Sequence, residues 1–147
     1  MNILGIDPGP HALGWCSIYD GGHQFGALDL REAGAPEDLR AKIEWAEVVY
    51  CESYRPREFL QGEGPKTAEV IGQIAAICQE TKTRLVMVDH TTWRTWASTI
   101  AAHLMFSPDK PAPDCRLHMR TDGSLKGDHC DDAFWVARWG MSRKVQS

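Results

Sequence analysis

The chain reads as an α/β protein with a central mixed sheet, its first three strands antiparallel and the later ones parallel, flanked by α-helices. Three observations predict this. Short apolar runs at Ile3–Ile6 and Val48–Cys51 have no polar alternate, as expected of buried strands, and Leu85–Val88, bounded by charge, is a further strand-like run. Between them lie stretches of helical period, the clearest carrying Val70, Ile71, Ile74, Ala75, Ile77 and Cys78. The region from Leu13 to Leu30 instead holds two strand-like runs separated by Asp20, Gly21, Gly22 and His23, which is turn chemistry.

Taken in order, the first strand is Ile3–Ile6, buried and therefore central. Asp7, Pro8, Gly9 and Pro10 break it and leave the Asp7 carboxylate at its end, beside a loop whose backbone can approach a ligand. Leu13–Tyr19 and Gln24–Leu30 follow as antiparallel strands. Pro36, Glu37 and Asp38 open a short helix reaching about Ile43. Val48–Cys51 is the next buried strand, and it delivers Glu52 to its end as the first delivers Asp7. Ser53 to Pro65 contains Tyr54, Arg55, Pro56, Arg57, Phe59, Gly62 and Gly64, the composition of an exposed loop. A helix from about Lys66 to Thr81 can pack one face on the sheet and leave another for a partner.

Arg84–Asp89 is a further strand, after which Thr91 or Thr92 caps a helix bearing Trp93, Trp96, Ala97, Ile100, Ala101 and Leu104. Tryptophan at that spacing reads as core. Pro108, Pro111 and Pro113 make the stretch from Ser107 to Asp114 an irregular surface connection. The last helix runs from about Asp128 to Trp139, and Gly140 closes it ahead of Arg143 and Lys144.

At 147 residues, 43% of them hydrophobic, the chain has the size and apolar content of one domain spanning 1–147. No run approaches the ~18 apolar residues of a membrane span, and no signal-peptide order precedes the first strand, so a cytoplasmic protein is expected. The five cysteines are odd in number and contain no C-x-x-C pair, which suits reduced thiols. A net charge of −4 excludes a simple basic DNA-coating protein. The charge is uneven, however: residues 1–52 carry nine acids against three Lys or Arg, and residues 81–127 carry seven Lys or Arg against four acids. That asymmetry suits a metal-loaded acidic site beside a phosphate-binding surface.

In the last helix His129 and Asp132 are three apart and share a face with Ala133 and Val136, which turns the pair toward the sheet and toward Asp7 and Glu52. Asp128 reads as the N-cap and Asp131 as a dipole-compensating acid. The set of Asp7 followed by Pro-Gly, a strand-end Glu52 and His129-x-x-Asp132-Ala133 resembles the ordered motifs of RuvC-like Holliday junction resolvases, nucleases of the RNase H-like superfamily. Some members carry Asp where this chain has His129, and others carry His. The frame Asp128-x-x-Asp131 would match the all-carboxylate version but lacks the following Ala. Ile71-Gly72-Gln73 also resembles the Gly-Gln of bacterial RuvC, and the compact length is similar to resolvases of phages and mobile elements.

The resemblance implies an RNase H-like fold and a crossover junction endodeoxyribonuclease acting in DNA recombination and repair. Its cofactor would be two Mg²⁺ ions, with Mn²⁺ able to substitute. Asp7 would bridge both ions, Glu52 and Asp132 would bind one each, and His129 would be a ligand or would position or deprotonate the water. Cleavage would leave 5′-phosphate and 3′-hydroxyl ends. Clustered carboxylates suit this chemistry, because two divalent ions ~3.5–4 Å apart stabilise charge on the attacking water, the phosphoryl oxygens and the leaving oxygen. Without cations the acids would repel one another. The partners implied are branched DNA, above all a four-way junction, and a second copy of the chain, since two opposed strands must be cut. Tyr54 or Phe59 would stack on a base exposed at the branch point, Arg55 and Arg57 would hold phosphates, and Lys126 completes the substrate-contact set. Two other classes compete. Actin-like ATPases open with a similar strand, Asp and Gly loop but need a second lobe and a second Gly-rich phosphate loop. A non-catalytic binding module would have no need of the intact acidic set.

Overall fold

The structure, a computed structural model, describes residues 1–20, 22–53, 64–105 and 129–145, with positions 98, 100–105, 129–131, 144 and 145 described by backbone alone. Among the described residues five strands form one sheet: β1 (Ile3–Pro8), β2 (Ala12–Tyr19), β3 (Gly22–Asp29), β4 (Val48–Ser53) and β5 (Arg84–Asp89), in the order β3-β2-β1-β4-β5. The β1–β2 and β2–β3 pairs are antiparallel, and the β1–β4 and β4–β5 pairs are parallel. This is the mixed sheet expected from the sequence. β1 is the middle strand and is buried at all six positions, which is why its sequence shows no alternation.

Four helices cover the sheet among the described residues: α1 (Ala35–Trp45), α2 (Gly64–Thr81), α3 (His90–Met105) and α4 (His129–Val145). Strand alternation sends Leu4, Ile6, Val49 and Cys51 to one face, where Leu39 and Ile43 of α1 and Val70, Ile74 and Cys78 of α2 meet them. Ile3, Val48, Tyr50 and Val88 point to the opposite face and pack on Trp93 and Ala97 of α3 and on Ala133, Phe134 and Ala137 of α4. Each fully buried aliphatic or aromatic side chain in these layers contributes about 1.5–3 kcal/mol of burial. Trp93, 2% exposed, is core, as its spacing suggested. Cys16, Cys51 and Cys78 are buried free thiols. No helix among the described residues is long and apolar enough to cross a membrane.

Two helix ends differ from expectation. α4 does not close at Gly140 but continues to Val145. Gly140 is buried in mid-helix, where a Cβ would strike the Tyr50 ring, so the glycine serves close packing rather than a C-cap. At the start of α3 the cap is Asp89, not Thr91 or Thr92. The backbone N–H of Thr91 and its hydroxyl both donate to Asp89 Oδ1, at 2.8 and 2.7 Å, since a carboxylate reaches back to the first turn better than a hydroxyl already inside it. The connection 107–114, the loop 54–63 and Asp128 lie outside the described residues.

α2 ends with Lys82 in the left-handed region, φ 58°, and the Thr83 N–H returns to the Cys78 carbonyl at 2.9 Å. Glycine is favoured at such a helix end because it has no Cβ to crowd the carbonyl. Lys82→Gly is therefore expected to raise unfolding stability by about 0.5–1 kcal/mol in chemical denaturation. A loss of stability would contradict the φ assigned to this residue.

Candidate active site

β1 and β4 run side by side in parallel register, Ile6 opposite Cys51, so the residues that follow, Asp7 and Glu52, emerge at the same end of the sheet. Both acids share the face of Tyr50 and Gly5, the face that α4 covers. α4 can reach β1 because residue 5 is glycine: a Cβ there would collide with the Ala133 carbonyl oxygen, the Ala137 Cβ at 2.6 Å and the Ala137 nitrogen at 2.8 Å. That approach brings Asp132, in the first turn of α4, over the strand ends. One carboxylate oxygen from each of Asp7, Glu52 and Asp132 lies within 4.8 Å of the others. Asp7 is 2% exposed and Glu52 1%.

Three acids in so small a volume need compensation. Two basic side chains of α3 supply part of it, four residues apart and so on one helix face. His90 Nδ1 is hydrogen-bonded to Glu52 Oε1, and Arg94 Nη2 lies 3.7 Å from Asp132 Oδ2. They do not suffice. Burial first, then the negative charges of Asp7 and Asp132, push the Glu52 carboxyl up to about 10, and the Arg94 guanidinium opposes that only in part. Glu52 Oε2 is buried with no hydrogen-bond partner among the described residues.

A buried carboxylate oxygen lacking a donor, within reach of two further acids, fits a hard divalent cation. Among the described residues the donor set is all oxygen. Cys51, the residue before Glu52, faces the other side of the sheet, and burial, then the charges of Asp7 and Glu52, hold its thiol well above the usual range, so it does not compete as a soft ligand. The chain thus carries an acidic triad able to hold a divalent metal.

Of the residues singled out from sequence, Asp7, Glu52 and Asp132 come together. His129 starts α4, one turn before Asp132, with its side chain outside the described set, as is that of Asp131. Tyr54, Arg55, Arg57, Phe59, Lys126 and Asp128 lie outside the described residues altogether. Sequence reasoning missed His90 and Arg94. A signal existed, because His90 follows β5 directly, and ligands in α/β sheets gather beyond the carboxyl ends of the strands.

A five-stranded sheet of this order, antiparallel and then parallel, with helices on both faces and acids at the ends of β1 and β4, is an RNase H-like fold of the RuvC type. Among the solved structures that share it are two of RuvC from Thermus thermophilus. One, in complex with a Holliday junction substrate, superposes with a TM-score of 0.62 at 15% identity, covering 100% of this chain and 96% of that one. The other, a further structure of Thermus thermophilus RuvC, gives 0.56 at 15% identity, covering 99% and 97%. No family model matches the sequence and no curated protein does.

Proposed function

We propose that the chain is a metal-dependent, structure-selective endonuclease that hydrolyses phosphodiester bonds at Holliday junctions or other branched DNA. The observation that carries this is the meeting of Asp7, Glu52 and Asp132 within 4.8 Å, one Glu52 oxygen buried without a donor. The shared fold with a RuvC captured on a Holliday junction substrate supports the choice of DNA. Asp7, Glu52, Asp132 and His129 would hold two Mg²⁺ ions, or Mn²⁺ in their place. When bound, such ions supply Lewis-acid stabilisation of the phosphoryl oxygens and a nucleophile at neutral pH.

The protein's own part is to fix and dehydrate the acids. Asp7 and Glu52 are held by sheet backbone and shielded by α4, while Arg94 tempers the charge of Asp132. Tyr54 or Phe59 would stack on an unpaired base, Arg55, Arg57 and Lys126 would contact phosphates, and a homodimer would place two such sites against opposed strands. A cytoplasmic location fits a DNA substrate. Incubation of an end-labelled four-way junction with Mg²⁺ or Mn²⁺ tests this directly. Nicks that a ligase reseals, showing 5′-phosphate and 3′-hydroxyl ends, are expected, and EDTA should abolish them. ATP hydrolysis without DNA cleavage would move the chain to the actin-like class instead.

The raised Glu52 carboxyl gives metal binding a pH dependence. Without metal, folded Glu52 keeps its proton up to about 10, whereas its ordinary value is 4.5. Between those values the folded protein binds a proton that the unfolded chain does not, so metal-free stability falls as pH rises. A cation must displace that proton. Mn²⁺ affinity is therefore expected to rise by up to about tenfold per pH unit, with about one proton released in calorimetry across buffers of different ionisation enthalpy. Affinity independent of pH, with no proton release, would remove Glu52 from the ligand set.

A further inference from the structure

β5 ends beside β4 with Val88 opposite Glu52 and Asp89 opposite Ser53, and the Ser53 hydroxyl donates to the Val88 carbonyl at 3.3 Å. The residue that follows, His90, thus begins α3 level with the acidic end of the sheet. Its ring stands edge-on to Trp93, with centroids 6.0 Å apart at 81°. Trp93 is itself core, so the imidazole is backed by a side chain that cannot give way. The ring's Nδ1 meets Glu52 Oε1, and this makes the two oxygens of Glu52 unlike: Oε1 has a partner, whereas Oε2 is buried with none among the described residues.

We propose that His90 is a positioning residue that fixes the Glu52 carboxylate through Oε1, so that Oε2 is the oxygen presented with Asp7 and Asp132 to a divalent cation. This rests on the metal-site reading above. The terminal torsion of a glutamate has a broad, shallow profile, so an untethered carboxylate would turn either oxygen, or neither, toward the ion. An Nδ1–H donated to the ionised carboxylate is charge-assisted and holds one orientation. Partners of this kind, one bond beyond the ligands, typically govern metal affinity by about 10–100-fold. His90 does so without touching the cation.

The test uses Mn²⁺ alone, titrated into the full chain and its variants by calorimetry, with electron paramagnetic resonance of the bound ion. His90→Ala and His90→Leu, which lack a donor, are expected to weaken Mn²⁺ binding by about 10–100-fold. His90→Asn places an amide N–H near the position of Nδ1 and is expected to restore affinity to within a few-fold of wild type. Nitrogen hyperfine coupling in the Mn²⁺ signal should be the same for wild type and His90→Asn. If one donor-free variant fails to fold, the other carries the comparison, and the coupling measurement needs neither. Wild-type affinity in Ala or Leu would overturn the proposal, and so would loss of an imidazole nitrogen coupling in Asn, which would make His90 a ligand. Asp7→Asn separates the two levels: Mn²⁺ binding untouched by that change defeats the metal-site reading and this inference with it, whereas binding lost in Asp7→Asn but retained in His90→Ala defeats this inference alone.

Discussion

Asp7→Asn is expected to lower junction cleavage by about 1,000-fold or more while leaving the metal-free protein at least as stable as wild type. Asn keeps the size of the side chain and removes the charge that Asp7 would supply to the proposed cations. Charge stabilisation by metal in such a site is worth several kcal/mol, and each 1.4 kcal/mol is about tenfold in rate. The stability side follows from the electrostatics, since the Asp7 charge is, after burial, the leading cause of the raised Glu52 carboxyl. Its removal lowers the cost of ionising the buried Glu52 and takes one like charge away from Asp132. In thermal melts the variant should match or exceed wild type without metal and lose the rise in Tm that Mn²⁺ gives the wild type. Wild-type turnover would remove Asp7 from the chemistry, and a large drop in Tm would assign it to folding. Asp132→Asn should be as damaging to cleavage, whereas Asp128→Asn should act modestly, Asn being a good cap itself.

The second large effect is expected from Gly5→Ala. A Cβ at residue 5 would fall on backbone and Cβ atoms of α4, at 2.6 Å from the Ala137 Cβ and 2.8 Å from its nitrogen, and no flexible side chain is there to yield. The helix must move outward. Overpacking of this kind costs about 1–3 kcal/mol, and the displacement carries Asp132 away from Asp7 and Glu52, so cleavage should fall further than stability alone explains. Gly140→Ala presses instead on the Tyr50 ring and should destabilise through the same layer. Gly72→Ala provides the contrast: an exposed mid-helix glycine of α2 with nothing within 4 Å of its would-be Cβ should gain up to about 1 kcal/mol. Equal melting temperatures for Gly5→Ala and Gly72→Ala would contradict the packing of α4 on β1.

Much of this architecture is legible in the sequence because the central strands are covered on both faces. Burial of β1 and β4 writes itself as unbroken apolar runs, and their ends expose Asp7 and Glu52 as the polar residues that follow. The helical period of α2 is equally direct, and Asp132 is legible because the first turn of α4 repeats its apolar face at Ala133 and Val136. Long-range packing is where local reading fails. Gly140 ahead of Arg143 and Lys144 looks like a helix end, yet its meaning lies in Tyr50, ninety residues away in the chain. His90 likewise gains its role from the parallel pairing of β4 with β5, which no spacing within the α3 segment encodes.

The most direct measurement is the rate of cleavage of four-way, three-way, duplex and RNA–DNA hybrid substrates of shared sequence, in Mg²⁺ and in Mn²⁺, by the wild-type chain with Asp7→Asn as the blank. The account predicts that metal-dependent cleavage is fastest on branched DNA, placed near the branch point and absent from the blank. Equal rates on duplex and junction, or cleavage that survives in Asp7→Asn, would contradict it.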